Sequence, residues 1–193
     1  MKLSKITLVV AVLVTVFMSS CSYNTMVEKQ EAVDSQWAQV QNAYQRRADL
    51  VPNLVATVKG YAAHEKETLS AVTEARAKVS EIKLDASQLT EENLKKFQAA
   101  QGDLSSALSR LMAVREAYPD LKANENFLKL QDDLVGTENR IAVERNKFNE
   151  ITRDYNQYIR KFPRNIYAGW FDFDKKPYFE ADAGSQTAPK IEF

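Results

Sequence analysis

The sequence predicts an all-α protein, an elongated antiparallel bundle of three long helices, the first kinked or broken near Pro52 and so open to being counted as a four-helix bundle. Two observations carry this expectation. Apolar residues recur three or four positions apart over long stretches, the period of one helix face. The five glycines and five prolines among 193 residues are spread so thinly that those stretches run without turn signals. The length fits one domain, and the 45% hydrophobic and 27% charged content is that of a folded chain with a core. Lys and Arg balance Asp and Glu at 26 each, which gives no basic footprint for nucleic acid.

At the amino terminus Lys2 and Lys5 precede the apolar run Ile6 to Met18, and Ser19, Ser20 and Cys21 follow. This is the layout of a signal peptide over residues 1–20. The run is shorter than the roughly 18 to 20 residues a spanning helix needs. Met18-Ser19-Ser20-Cys21 resembles the lipobox of bacterial lipoproteins, so Cys21, the single cysteine, is the expected lipidation site, carrying palmitate-type acyl chains. Several chains at about 0.8 kcal/mol per buried CH₂ would hold the protein on a bilayer. Ser22 is not an aspartate, and by resemblance to the sorting rule of enteric bacteria this points to the outer membrane, with the cell membrane as the alternative. Loss of the leader leaves 24 basic against 26 acidic residues.

Residues 21–163 read as the bundle. The first stripe runs Val33, Trp37, Val40, Tyr44, Ala48, Val51, Val55, Val58, Ala62, Leu69, Val72 and Val79, which extends one helix to about Val79. Pro52 removes the bond to the Ala48 carbonyl, predicting a kink, or a break with Asp49 as cap of a further helix. Thr90 followed by Glu91 and Glu92 caps the second helix, whose stripe is Leu94, Phe97, Gln101, Leu104, Leu108, Leu111 and Tyr118. Pro119 stops it, and Asn124 caps the third. That helix carries a coiled-coil-like seam: Phe127, Leu130, Leu134, Thr137, Ile141, Glu144, Phe148, Ile151, Tyr155, Tyr158 and Phe162. At 1.5 Å per residue it reaches about 55 to 60 Å, making the bundle a rod. Gly60, Gly102 and Gly136 fall inside helices, where they cost about 1 kcal/mol each, and are read as points of close helix contact, with tolerated surface glycine as the alternative. Residues 164–193 form an aromatic-rich tail, too broken for a helix, that folds back over a bundle end, with docking to a partner or a lipid interface as the alternative; beyond Asp182 disorder is expected.

Chemistry is sparse. His64-Glu65-Lys66-Glu67-Thr68 starts like the zinc-protease helix, but Thr68 stands where the second histidine belongs, and no other histidine exists. No phosphate loop, nucleophile elbow or metal-ligand set is present, so no catalytic residue, metal or cofactor is expected. A polar cluster is the remaining candidate site: Arg46, Arg47, Asp49 and Asn53 near the proline, matched in kind by Glu138, Asn139 and Arg140 on the third helix. It either fixes helix register or presents a patch for an anionic ligand or protein partner.

Several of these strings occur together in a known order. Arg46-Arg47-Ala48-Asp49-Leu50-Val51-Pro52-Asn53-Leu54-Val55, then Val58-Lys59-Gly60-Tyr61 and His64-Glu65, resembles the signature of the LemA family. Glu116-Ala117-Tyr118-Pro119-Asp120-Leu121-Lys122, Thr137-Glu138-Asn139-Arg140-Ile141-Ala142, Tyr155-Asn156 and Phe162-Pro163 follow in that family's order, from about Tyr23 to Phe179. The resemblance implies an extracytoplasmic helical bundle on an N-terminal membrane anchor with no established biochemical activity. The lipobox departs from relatives that keep a spanning helix, as does Phe148-Asn149 from their Tyr-Asn pair.

The expected function is that of a lipid-anchored, non-enzymatic structural or adaptor protein of the cell envelope with a protein partner; the alternative is a module that binds an envelope ligand. Self-association through a seam is a further expectation.

Overall fold

The computed structural model describes residues 2–180, with side chains from residue 22 onward. The side chain of Cys21 and the end expected to be disordered lie outside the described residues. The described chain is all-helical: α1 (Lys2–Tyr61), α2 (Lys66–Glu81), α3 (Glu91–Ala113), α4 (Pro119–Lys122), α5 (Glu125–Arg160) and α6 (Arg164–Trp170), with 3₁₀ turns at Ala86–Gln88 and Val114–Ala117.

α1 passes through Pro52 without interruption. Proline leaves the Ala48 carbonyl without its helical donor, and Arg76 of α2 supplies one, its Nε donating at 3.0 Å. The chain reverses instead at residues 62–65, so the helix read as running to Val79 is two antiparallel helices. The reason lies between Ala62 and Leu69, where Ala63-His64-Glu65-Lys66-Glu67-Thr68 offers no large apolar residue. A turn there costs no core contact. The stripe stays in phase on both sides because Ala62, Leu69, Val72 and Ala75 pack into the same cluster.

Both anticipated caps form: Thr90 accepts from the Asn93 amide at 3.2 Å and Asn124 from the Phe127 amide at 2.9 Å. Pro119 opens the one-turn α4 as its first residue rather than only ending α3. α5 spans about 54 Å at 1.5 Å per residue and lies antiparallel along α1. Gln36 contacts Glu144 low on the pair, and the Tyr61 hydroxyl accepts from Asn124 at the top. α2 and α3 pack together and flank the upper half of α1. The upper rod is therefore four helices thick, and the lower part is the α1–α5 pair closed by the α2–α3 loop, the start of α3, α6 and the tail.

Two seam and tail expectations are corrected. Phe162 is 81% exposed, because α5 ends at Arg160 and Lys161 turns to extended backbone. The tail does contain a helix, α6, which buries Ala168. The glycine reading also fails. A Cβ placed on Gly60, Gly102 or Gly136 would meet nothing within 4 Å, so these positions carry the entropy cost of glycine without a packing reason. Gly102→Ala and Gly136→Ala are each expected to stabilise the bundle by about 1 kcal/mol, a rise of about 2 to 4 °C in thermal midpoint by circular dichroism.

Candidate functional site

The core is divided. A lower cluster gathers Met26, Trp37, Tyr44, Phe97, Ile141, Phe148 and Tyr155, and an upper one gathers Val51, Leu54, Leu104, Leu108, Phe127 and Leu134. Between them lies a polar layer built on Arg47, which is 2% exposed. Its Nη1 donates to Ser105 Oγ at 2.6 Å and to Glu138 Oε1 at 2.8 Å. Its Nη2 donates to the Gln101 backbone carbonyl at 3.1 Å and to Gln101 Oε1. The guanidinium also lies over the Tyr44 ring, 5.2 Å from its centroid. One side chain of α1 thus ties α3 and α5 at a single level, and only the Nε atom of Arg47 is left without an acceptor. Glu138 is 42% exposed, so the pair sits at the edge of the layer and solvent screens part of it.

The other predicted members go elsewhere. Arg46 and Arg140 line a cleft of about 460 Å³ with Asp132 and Asp133, on a different face from the Arg47 contacts. Arg140 reaches down to Glu144 at 2.7 Å. Asp49 is exposed and accepts from Gln45 at 2.7 Å, and Asn53 is exposed with its carbonyl taken by Thr57. Asn139 is exposed. Of the seven residues, the structure joins Arg47 and Glu138 directly and leaves the rest outside that layer.

Gln101, Ser105, Gln36 and Glu144 are the partners that the motif reading passed over. Gln36 Nε2 donates to Glu144 Oε2 at 2.7 Å, both residues buried. The signal was available: Gln101 and Glu144 occupy apolar-stripe positions, and a polar residue there has to find a partner.

A second unrecognised device fastens the tail. Asn156 and Asn149, two turns apart on α5, each pair with the backbone of one tail residue. Asn156 Oδ1 accepts from the Lys176 amide at 3.0 Å and its Nδ2 donates to the Lys176 carbonyl at 2.8 Å. Asn149 treats Phe179 the same way, at 2.9 and 3.0 Å. The strap so formed presses Phe179 against Trp37 and Phe148, with ring centroids 6.0 and 5.4 Å away. Tyr155 donates to the Asp174 carbonyl at 3.0 Å. Burial, with the Asp174 and Asp34 carboxylates adding to it, pushes its phenol up to about 12 and keeps the proton on the donor. An open cleft of about 810 Å³ runs between this strap and the start of α3, past Thr90, Glu91, Asp174 and Lys175.

Among the described residues no group of three His, Cys, Asp or Glu side chains is placed to hold a metal ion, and no helix is long and apolar enough to cross a membrane. Comparison with known proteins gives a consistent set. The sequence model of the LemA family matches residues 36–193. Magnetosome protein MamQ 2 of Paramagnetospirillum magneticum is 30% identical over 93% of this chain and 71% of its own length. Magnetosome protein MamQ of Magnetospirillum gryphiswaldense is 28% identical over 86% and 67%. Protein LemA of Metamycoplasma hominis is 27% identical over 82% and 68%.

Proposed function

This chain belongs to the LemA family, and from that premise we propose that it is a membrane-anchored envelope lipoprotein whose helical rod serves as a non-enzymatic structural or adaptor element. The observation that carries the reading is the continuity of α1. The helix that holds the whole bundle, pairing with α5 from Lys29 to Tyr61, is the same helix that leads back through Cys21 to the apolar run Ile6 to Met18. Attachment of lipid to Cys21 therefore places the tether at the end of the scaffold, with no separate linker between them. The rest of the rod, over 50 Å of α5 included, stands away from the bilayer with the domain outside the cytoplasm.

The polar layer suits this role as an alignment device. A buried arginine bonded to two helices at one level opposes sliding of long helices that a continuous apolar seam would tolerate. The exposed Arg46, Arg140 and Asp49, with the neutral amide of Asn139, leave polar and charged surface for an envelope partner, for which self-association is the homotypic case.

Metabolic labelling with a fatty-acid analogue tests the anchor. Wild-type protein should take label and Cys21→Ala should not; label persisting in Cys21→Ala, or intact Met1-bearing protein in the cytosol, would overturn the proposal. Crosslinking in cells from exposed positions of α5 should capture a discrete envelope protein if the rod is an adaptor.

A further inference from the structure

We propose that the lower end of the rod carries an aromatic collar that inserts into the lipid headgroup region, giving the protein a second contact with the bilayer beside its anchor. The inference rests on the anchored reading above, because it needs the bilayer at the amino-terminal end of α1.

Ile166 and Trp170 lie one helical turn apart on α6 and are both exposed, Trp170 at 72%. Phe162 just before the helix and Phe171 just after it are exposed as well. A soluble chain gains nothing by showing two such rings and an indole to water, and contiguous exposed apolar surface marks an interaction site.

What covers them is indicated by position. The Phe171 ring is 5.0 Å from that of Tyr23, and Phe173 is 5.6 Å from it, so α6 and its exit are folded against the first described side chains of α1. Tyr23 is two residues from Cys21 and five from the end of the apolar run at Met18. The collar is thus level with the point at which the chain meets lipid. Tryptophan and tyrosine, with an apolar body and a polar tip, settle at that depth, as Trp170 and Tyr23 would, and the phenylalanines add apolar area beside them.

Charge agrees. From Tyr155 to Phe171 the sequence contains Arg160, Lys161 and Arg164 and no carboxylate, with Asp154 and Asp172 only at its two borders, although a quarter or more of the whole chain is charged with both signs balanced. Arg164 lies 4.1 Å over the Tyr158 ring, and Lys29 of α1 is 5.5 Å from the same ring, so cations and rings share one surface. A cationic rim around an aromatic patch fits anionic lipid headgroups.

The two tryptophans make the test direct. Trp37 is 1% exposed, in the core and about 24 Å along α1 from Cys21, whereas Trp170 is the exposed one. The full, acylated chain is reconstituted into phosphatidylethanolamine–phosphatidylglycerol vesicles containing phosphatidylcholine brominated on its acyl chains, a short-range quencher. Flotation and tryptophan emission are both read. Vesicle-bound wild type should show blue-shifted emission and lose most of the Trp170 contribution to quenching, while Trp170→Phe, which floats equally, should show almost none. Protein that floats but keeps an unquenched, water-exposed Trp170 overturns the collar and leaves the anchor standing; a protein partner covering the patch would give that result. Protein that does not float overturns the anchor and the collar together.

Discussion

Arg47→Ala is expected to destabilise the bundle by about 3 kcal/mol, lowering the thermal midpoint by roughly 6 to 12 °C for a domain of this size. The truncation removes all four hydrogen bonds from Nη1 and Nη2 at once and leaves Gln101, itself buried, without its partner. Arg47→Lys should recover little of the loss, since an ammonium cannot present the fork that reaches Ser105, Glu138 and Gln101 together. Glu138→Ala should cost less, as its carboxylate is partly solvated. The measurement is a thermal melt of the three variants beside a cell phenotype. An unchanged midpoint in Arg47→Ala with a lost phenotype would remove the alignment role and assign the residue to partner contact.

Releasing the strap is the second large effect expected. The double variant Asn149→Ala, Asn156→Ala abolishes four hydrogen bonds between α5 and the tail. At about 1 kcal/mol each, the strap loses the bonds that fix its backbone to α5, and the amides of Lys176 and Phe179 should exchange with solvent about a hundredfold or more faster. Trp37, stacked beneath Phe179, should shift its emission to the red as its cover lifts. The helices α1, α3 and α5 keep their caps and core and should remain protected. Protection of Lys176 and Phe179 that is unchanged in the double variant would mean that the aromatic contacts, not the asparagines, fasten the tail.

The sequence displayed the helices well, because their signals are local. Thr90 and Asn124 cap where a side-chain oxygen precedes an apolar-periodic run, and the long α5 follows from a period sustained from Phe127 to Tyr158. The residues around Pro52 are compatible with a kink or a break, and what favours continuity is remote: Arg76, 24 residues further on, supplies the missing donor. The reversal at 62–65 was hidden by a property of antiparallel packing. Two helices that face one core can share a single periodic pattern, so phase alone does not register a turn between them.

Within the candidate site, Arg47 and Glu138 were legible as charges near their family-like strings, but a string of neighbours is not a face. Arg46 and Arg47 are adjacent and therefore about 100° apart around α1, which sends one to solvent and one to the core. The strap left no periodic trace. It is held by asparagine amides on tail backbone, and backbone partners carry no residue-type signature.

The direction in which the strap is laid has a mechanical consequence. From Phe171 beside Tyr23 it climbs α5 through Asn156 and Asn149 to Arg145, whose guanidinium reaches the Glu180 carbonyl at 2.9 Å. Tension that draws the chain past Glu180 away from α5 meets these fastenings in series and peels them one by one, Phe179 before Lys176. Tension on the far tip of the rod is shared at once along the full α1–α5 overlap, in shear. The molecule is soft to a tug on its carboxyl-terminal arm and stiff to one along its axis, so a force small enough to spare the bundle would still uncover Trp37.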